Sequence, residues 1–376
     1  MILDCPAAKG RGAYMNTPRK IVVFYDDPCI DGSVSAKIVK DAFKDNPAVK
    51  IVFVPISYGS PQIRTQKILS HLSDGAEVIF LDTSPKDDTL EILFNPETQH
   101  PRIKKLTIFD HHPTEVARIQ DFARALRSKL AGSIAPNVPE LELFLNPAKS
   151  SAALIVWDHF NRGKPAPSLL GLVGRIESST EEPSRHDKEI MAYFDSLISL
   201  TPEETFNNLE TRFMLTEEEI LPYGRAIFLA QKNNIEKSIK TSFRYAKMEV
   251  LPGRSEWVPL VTGNVLSFGR GIDDALVKEA QRSTTFGVAG AWFVQKDGTV
   301  KLSLRSRGAP DVGRIAKHLG ITIGFDGGGR TKAACVYFTD LLQFAQNVKT
   351  YSKEEMMAIR SAESVGVVKS ARTPQP

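Results

Sequence analysis

A chain of 376 residues, 42% hydrophobic and 24% charged, has the composition of a globular protein and the length for two domains, each with its own core. No run approaches the roughly 18 apolar residues of a membrane span. The net charge of +4 admits anionic ligands without the basic excess of a surface that coats nucleic acid. The three cysteines, Cys5, Cys29 and Cys335, are odd in number and fit no paired zinc spacing, which agrees with a reduced, cytoplasmic setting.

Residues 1–19 carry Lys9, Arg11 and Arg19 against one acid, Asp4, and lack the apolar core of a secretory signal. They read as a flexible extension, with organellar targeting left open. From residue 20 short β-type runs alternate with helical stretches. The runs cover 21–25, 50–56, 78–81, 106–109 and 141–145; the helices cover 33–44, 61–72, 114–129 and 150–160. Such alternation predicts βαβ units and a mostly parallel sheet. Helices at 169–175 and 188–200 close a domain spanning 20–200. A charged helical connector follows over 201–248. A smaller αβ domain over 249–352 then reads as a strand at 257–262, a helix at 273–282, strands at 286–294 and 300–307 about an Asp-Gly turn, and a helix at 312–319. A glycine-rich loop at 324–329, an apolar run at 332–338 and a helix at 340–351 complete it. Residues 353–376 read as a frayed helix and flexible tail.

Three of the apolar runs end in acid or imidazole. Ile21-Val22-Val23-Phe24-Tyr25 runs into Asp26 and on to Asp31-Gly32; Val78-Ile79-Phe80-Leu81 runs into Asp82; Leu106-Thr107-Ile108-Phe109 runs into Asp110-His111-His112. In an open α/β sheet, ligands bind outside the carboxyl ends of the strands. Carboxylate with imidazole is a donor set for first-row divalent cations. Taken singly, Asp31-Gly32 also reads as a turn into a helix, and Asp82-Thr83-Ser84-Pro85 as a helix cap. Capping accounts for one acid but not for two adjacent imidazoles. Gly327-Gly328-Gly329 presents either a flexible turn or consecutive backbone N–H groups open to a phosphate. Arg305 and Arg307 alternate on a predicted strand and share a face that is either solvated or turned into a cleft with Arg330 and Lys332. His159, His186 and His318 read as surface or core-edge residues.

The order of these pieces (Asp31-Gly32, Asp82, Asp110-His111-His112, Ser150-Ser151-Ala152-Ala153, Ser303-Leu304-Arg305-Ser306-Arg307, then Gly327-Gly328-Gly329 before Ala333-Ala334) resembles the DHH (Asp-His-His) phosphoesterase superfamily with its C-terminal DHHA1 domain. The resemblance runs from about Lys20 to Phe338 and marks a divergent member. It implies an α/β fold with the site in the cleft between the two domains. It also implies hydrolysis of a phosphodiester or phosphomonoester by a metal-activated hydroxide. The implied substrate is a short oligonucleotide, cyclic dinucleotide or nucleotide. Two Mn²⁺ ions are implied, or one in a degenerate site, with Mg²⁺ or Co²⁺ as alternatives. The implied ligands are Asp26, Asp31, His111 and a bridging Asp82. His112 would face the phosphate and Asp110 would orient a neighbouring histidine. Gly327, Gly328, Gly329, Arg330 and Arg305 would hold the substrate. The resemblance leaves room for a homodimer and gives no membrane role.

The sequence departs from the family pattern in three motifs. Asp26 stands where the family has His, and Cys29 where it has Asp. Ser178 stands where the family has a further Asp, unless Glu177, Glu181 or Glu182 serves. Arg330 replaces a His, keeping a phosphate clamp but not a proton donor. These departures sustain an alternative: a catalytically degenerate homologue that acts as a nucleotide- or RNA-binding or protein-interaction module. A third reading, an ordinary nucleotide-binding α/β protein, explains the strands but not Asp-His-His.

Overall fold

The computed structural model describes residues 19–56, 61–95, 97, 101–130, 138–178, 183–198, 201–262, 277–278, 282, 287–295, 298–306, 311–323, 327–329 and 333–370. The first half is a repeating strand–helix chain. It runs β1 (Arg19–Asp26), α1 (Ile30–Phe43), β2 (Val49–Ile56), α2 (Pro61–His71), β3 (Glu77–Leu81), α3 (Asp87–Phe94), β4 (Lys105–Asp110), α4 (Pro113–Leu130) and β5 (Glu140–Leu145). The strands form one parallel sheet in the order β2-β1-β3-β4-β5.

These strands are apolar throughout because both faces are covered. Ile21, Val23 and Tyr25 of β1 enter one core with Ile79, Leu81 and Phe109. Val22 and Phe24 enter the opposite core with Val78, Phe80, Leu106 and Ile108, where Ile68, Leu90 and Ile119 close it. The first core is covered by α1 and by five further helices, α5 (Ala152–Phe160), α6 (Ser168–Ser178), α7 (Arg185–Leu197), α8 (Pro202–Glu210) and α9 (Glu217–Ser242). Side chains at the starts of these helices satisfy free N–H groups. Ser151 caps α5 by accepting from the Leu154 amide, and capping boxes open α7 (Ser184 with Asp187) and α9 (Thr216 with Glu219).

The second sheet holds seven strands in the order β10-β11-β9-β8-β7-β6-β12: β6 (Phe243–Leu251), β7 (Arg254–Thr262), β8 (Val288–Val294), β9 (Val300–Ser306), β10 (Gly327–Gly329), β11 (Ala333–Phe338) and β12 (Thr350–Tyr351). Among the described residues of this sheet only β7 and β8 pair in parallel. Val300, Leu302 and Leu304 of β9 turn to a core shared with Val312, Ile315, Ala316 and Leu319 of α10 (Val312–Ile323) and with Phe344 of α11 (Leu341–Asn347). On the other face Tyr245 and Trp257 pack on Met356 of α12 (Lys353–Ser370). No helix among the described residues is long and apolar enough to cross a membrane.

The α/β architecture, a parallel sheet followed by a second αβ part, is as expected; that the second sheet has seven strands and is mixed comes from the structure. Three local readings differ. The helical stretch expected to reach 248 ends at Ser242, and Phe243 begins β6, where Tyr245 alternates inward. Gly327–Gly329, expected as loop, is an edge strand paired antiparallel to β11. A Cβ on Gly327 would stand 2.1 Å from the Ala316 carbonyl oxygen, so the glycine there lets β10 lie against α10. The stretch expected as one helix over 340–351 is helix only over Leu341–Asn347, and Thr350–Tyr351 pair with β6 as β12. The expected helix at 273–282 falls mostly outside the described residues.

The first turn of α1 lies directly on the end of β1. A Cβ on Gly32 would stand 2.3 Å from the Asp26 carbonyl oxygen, whereas one on Gly171 of α6 would meet nothing within 4 Å. Gly32→Ala is expected to cost about 1–3 kcal/mol by forcing the helix off the strand. Gly171→Ala is expected to be neutral or to stabilise by about 0.5–1 kcal/mol. Urea unfolding of the two variants against the parent checks the contrast, and equal effects would refute it.

Candidate metal centre

In the order β2-β1-β3-β4-β5 the direction of winding reverses between β1 and β3, so the crevice of the sheet opens at their carboxyl ends. Asp26 is the last residue of β1, Asp82 follows β3, and Asp110 is the last residue of β4. The structure therefore brings Asp26, Asp31, Asp82, Asp110, His111 and His112 to one end of one sheet.

Asp82 is the centre of the group. Its backbone has φ +57°, an uncommon conformation for a residue with a side chain, and its amide donates to the Phe109 carbonyl at 2.9 Å. The residue is 1% exposed. Cys29 Sγ donates to Oδ2 at 3.3 Å, while Oδ1 has no hydrogen-bond partner among the described residues. Burial pushes the Asp82 carboxyl well above the usual range, and Asp31, Asp26, Glu177 and Asp110 push it further.

The two histidines differ in their surroundings. His111 Nδ1 faces the Lys149 carbonyl at 3.4 Å, and a carbonyl only accepts, so Nδ1 carries the proton. Its Nε2 lone pair then faces Asp31 Oδ2 at 3.5 Å and Asp82 Oδ1 at 3.4 Å. Burial, and then His112, hold His111 below the usual imidazole value and so neutral. A lone pair facing two carboxylates repels them unless a cation lies between. His112 Nδ1 meets Asp110 Oδ1 at 2.9 Å, which raises the His112 value and leaves Nε2 for another partner. Asp110 also accepts from the His112 amide and from Ser84 Oγ. Burial raises the Asp110 value, but these hydrogen bonds outweigh it and the net shift is downward. Asp110 thus orients His112.

Asp31 is fully buried and accepts from the Ala152 and Ala153 amides, both at 2.8 Å, at the N-terminus of α5. Even so, burial pushes it up to about 7. Asp26 is also pushed up to about 7 by burial, against the pull of Arg64 and His112. Arg64 of α2 is buried and donates through Nη2 to the Thr83 hydroxyl and the Ser84 carbonyl, bracing the turn that carries Asp82. No sequence signal marks Arg64; α2 reaches the site only through the fold.

Two trios of donors lie within 4.8 Å of one another: Asp82 with His111 and His112, and Asp26 with Cys29 and Asp82. They share Asp82. The donor types, the partnerless buried oxygen and the crowding of carboxylates all fit a divalent cation in each. Asp31 belongs to neither trio. Ser178 lies exposed at the end of α6 and supplies no carboxylate, whereas Glu177, the alternative noted above, acts electrostatically on Cys29, Asp31, Asp82 and His111.

The described residues expected on the substrate side lie on the second sheet. Lys301 of β9 makes the smallest of the charge contributions acting on Asp26. Lys301, Ser303 and Arg305 share the face opposite the α10 core. The Phe293 and Tyr337 rings flank Lys301 at 5.9 and 5.7 Å, and Arg305 Nη1 donates to Ser303 Oγ at 2.8 Å. Gly327, Gly328 and Gly329 stand at the edge of this sheet in β10. Arg330, Arg307 and Lys332 lie outside the described residues.

The raised acids give the chain a pH signature. Asp26 and Asp31, near 7 when folded, stand above the unfolded carboxylate value of about 3.9, so folding takes up protons between the two. The stability these groups contribute is full below about pH 4 and is lost as pH rises through about 7. Melting in chelator is expected to give a lower Tm at about pH 7.5 than at about pH 5.5, and saturating divalent metal is expected to reduce that difference. A difference that metal leaves unchanged would contradict this assignment.

No family model and no curated protein matches the sequence. Among solved structures the chain is similar to an uncharacterized protein from Helicobacter pylori, with 14% identity over 84% of this chain and 92% of that one at a TM-score of 0.38. It is similar to RecJ from Thermus thermophilus in complex with Mn²⁺, with 12% identity over 96% of this chain and 53% of that one at a TM-score of 0.40. It is also similar to an exopolyphosphatase-related protein from Bacteroides fragilis, with 14% identity over 88% of this chain and 91% of that one at a TM-score of 0.33. The structural neighbours of this chain thus include a RecJ and an exopolyphosphatase-related protein, all at low identity.

Proposed function

We propose that the chain is a divalent-metal phosphohydrolase of the DHH type that cleaves a phosphodiester or phosphomonoester of a nucleotide or short oligonucleotide. The observation that carries this reading is the pair of donor trios joined through Asp82, whose buried Oδ1 has no hydrogen-bond partner among the described residues. The residues of the two trios would hold divalent cations, which when bound would supply water activation and charge neutralisation at a phosphoryl group. Asp82, common to both trios, would hold both ions, with Asp26 and His111 as further ligands, and Glu177 would be the further carboxylate in place of Ser178. Asp110 holds the Nδ1 proton of His112, so that Nε2 meets the scissile phosphate and returns a proton to the leaving oxygen. In the overall step the water oxygen bonds to phosphorus, the ester P–O bond breaks, and the departing oxygen gains a proton.

The Lys301–Arg305 face of β9 supports the remainder of the substrate. Cations there offset phosphate charge, and the Phe293 and Tyr337 rings beside Lys301 suit base stacking. Gly327, Gly328 and Gly329 with Arg330 complete this side in the proposed cleft.

Hydrolysis of pApA with added Mn²⁺ is the direct assay. Asp82→Asn is expected to reduce turnover to background with the fold retained by circular dichroism, and Asp110→Asn to lower kcat about 10–100-fold. Lys301→Ala is expected to raise KM more than it lowers kcat. Turnover unchanged in Asp82→Asn would refute the bridging role. Metal binding with no turnover on any phosphate ester would favour the binding-module alternative, which Ser178 and the amide-held Asp31 support.

A further inference from the structure

The two donor trios differ in chemistry. The one made by Asp82, His111 and His112 offers oxygen and nitrogen; the one made by Asp26, Cys29 and Asp82 offers oxygen and sulfur. Cys29 immediately precedes α1 with extended backbone (φ −134°, ψ 133°), the position where Ser, Thr, Asp or Asn would fold back to cap the helix. Its side chain makes no cap. It turns instead across to the end of β3, with Sγ 3.3 Å from Asp82 Oδ2. Asp82 itself is 1% exposed, its Oδ2 faces Cys29, and its Oδ1, 3.4 Å from His111 Nε2, lacks a hydrogen-bond partner among the described residues. A sulfur placed among buried carboxylates gains little from them as a weak hydrogen-bond donor and far more as a metal ligand.

We propose that Cys29 Sγ ligates the cation on the Asp26 side, and that this position selects a thiophilic divalent ion of the Zn²⁺ and Co²⁺ class over Mn²⁺ or Mg²⁺. The inference rests on the metal-centre reading above and adds to it the identity of one ion. Thiolate ligands suit zinc and its chemical relatives, whereas all-oxygen and oxygen–water sites suit magnesium and manganese. The thiol proton is released to solvent as the metal–sulfur bond forms. The centre is then unsymmetrical: a sulfur-bearing position and an imidazole-bearing position, bridged by Asp82.

The test uses the full chain, stripped with chelator, kept anaerobic and titrated with Co²⁺ alone. A near-ultraviolet sulfur-to-cobalt charge-transfer band is expected to grow with the visible cobalt bands. Cys29→Ser is expected to abolish the former, while a Cys5→Ser/Cys335→Ser double variant keeps it. The double variant retains Cys29, so the test survives a Cys29→Ser chain that fails to fold. Competition is expected to show that Cys29→Asp shifts the Zn²⁺-over-Mn²⁺ preference toward Mn²⁺ by about tenfold or more. Cobalt bound without the charge-transfer band, or a band that Cys5→Ser/Cys335→Ser removes, would overturn the assignment of Cys29 and leave the metal centre standing. No binding of Co²⁺, Zn²⁺ or Mn²⁺ would overturn both.

Discussion

Four carboxylates, those of Asp26, Asp31, Asp82 and Asp110, meet at one end of the parallel sheet, three of them with 1% exposure or less. Like charges held out of water repel strongly, and each must be offset by a partner or by a proton. Asp110 is satisfied three times over, by Ser84 Oγ, the His112 amide and His112 Nδ1. Asp31 has two amides at the start of α5. Asp26 has the fields of Arg64, His112 and Lys301. Among the described residues the Asp82 side chain accepts a hydrogen bond from the weak donor Cys29 alone, with His111 Nε2 at 3.4 Å and His112 Nδ1 at 3.8 Å from its Oδ1, and it is the acid on which the others press. The shortfall of positive charge is therefore centred on Asp82, and the neutral Nε2 of His111 and the sulfur of Cys29 face the same point.

The fold sets up this crowding and then braces it. Parallel strands with both faces covered leave their ends as the places where polar side chains can gather, and the reversal of winding between β1 and β3 opens a crevice there. Gly32 lets α1 sit against the end of β1 and bring Asp31 beneath the centre. Arg64, arriving on α2, grips Thr83 and Ser84 and so supports the left-handed turn at Asp82. The candidate ligands thus stand on strand ends and short turns fastened to the core, an arrangement that would hold its geometry when a cation enters.

Much of this was legible in the residues because the relevant signals are local. The apolar runs that become β1, β3 and β4 end in Asp26, Asp82 and Asp110, and the chain direction tells which end of each strand carries the acid. The helix α3 (Asp87–Phe94) was not anticipated, since its two turns follow Pro85 too closely to show a full amphipathic period. The strand β6 was hidden because Phe243 continues directly from a 26-residue helix with no glycine or proline between. The triple glycine reads as a loop when taken alone, and only its pairing with β11 makes it strand. Arg64 and Lys301 were missed for a different reason: one comes from α2 and the other from the second sheet, and no spacing along the chain announces a contact made by the fold. Glu177, an expected substitute for the absent acid, raises the Asp31 and Asp82 values by its charge but belongs to neither donor trio.

On the reading proposed above, the carboxylates gather around cations that share Asp82. Metal content by mass spectrometry on the chelator-stripped chain, reloaded with a mixture of Mn²⁺ and Zn²⁺ and desalted, tests it most directly when Asp82→Asn is carried through beside the parent. About two ions per parent chain are expected, with both lost or greatly weakened together in Asp82→Asn because one side chain holds them both. Equal metal content in the parent and Asp82→Asn, or none in either, would contradict it.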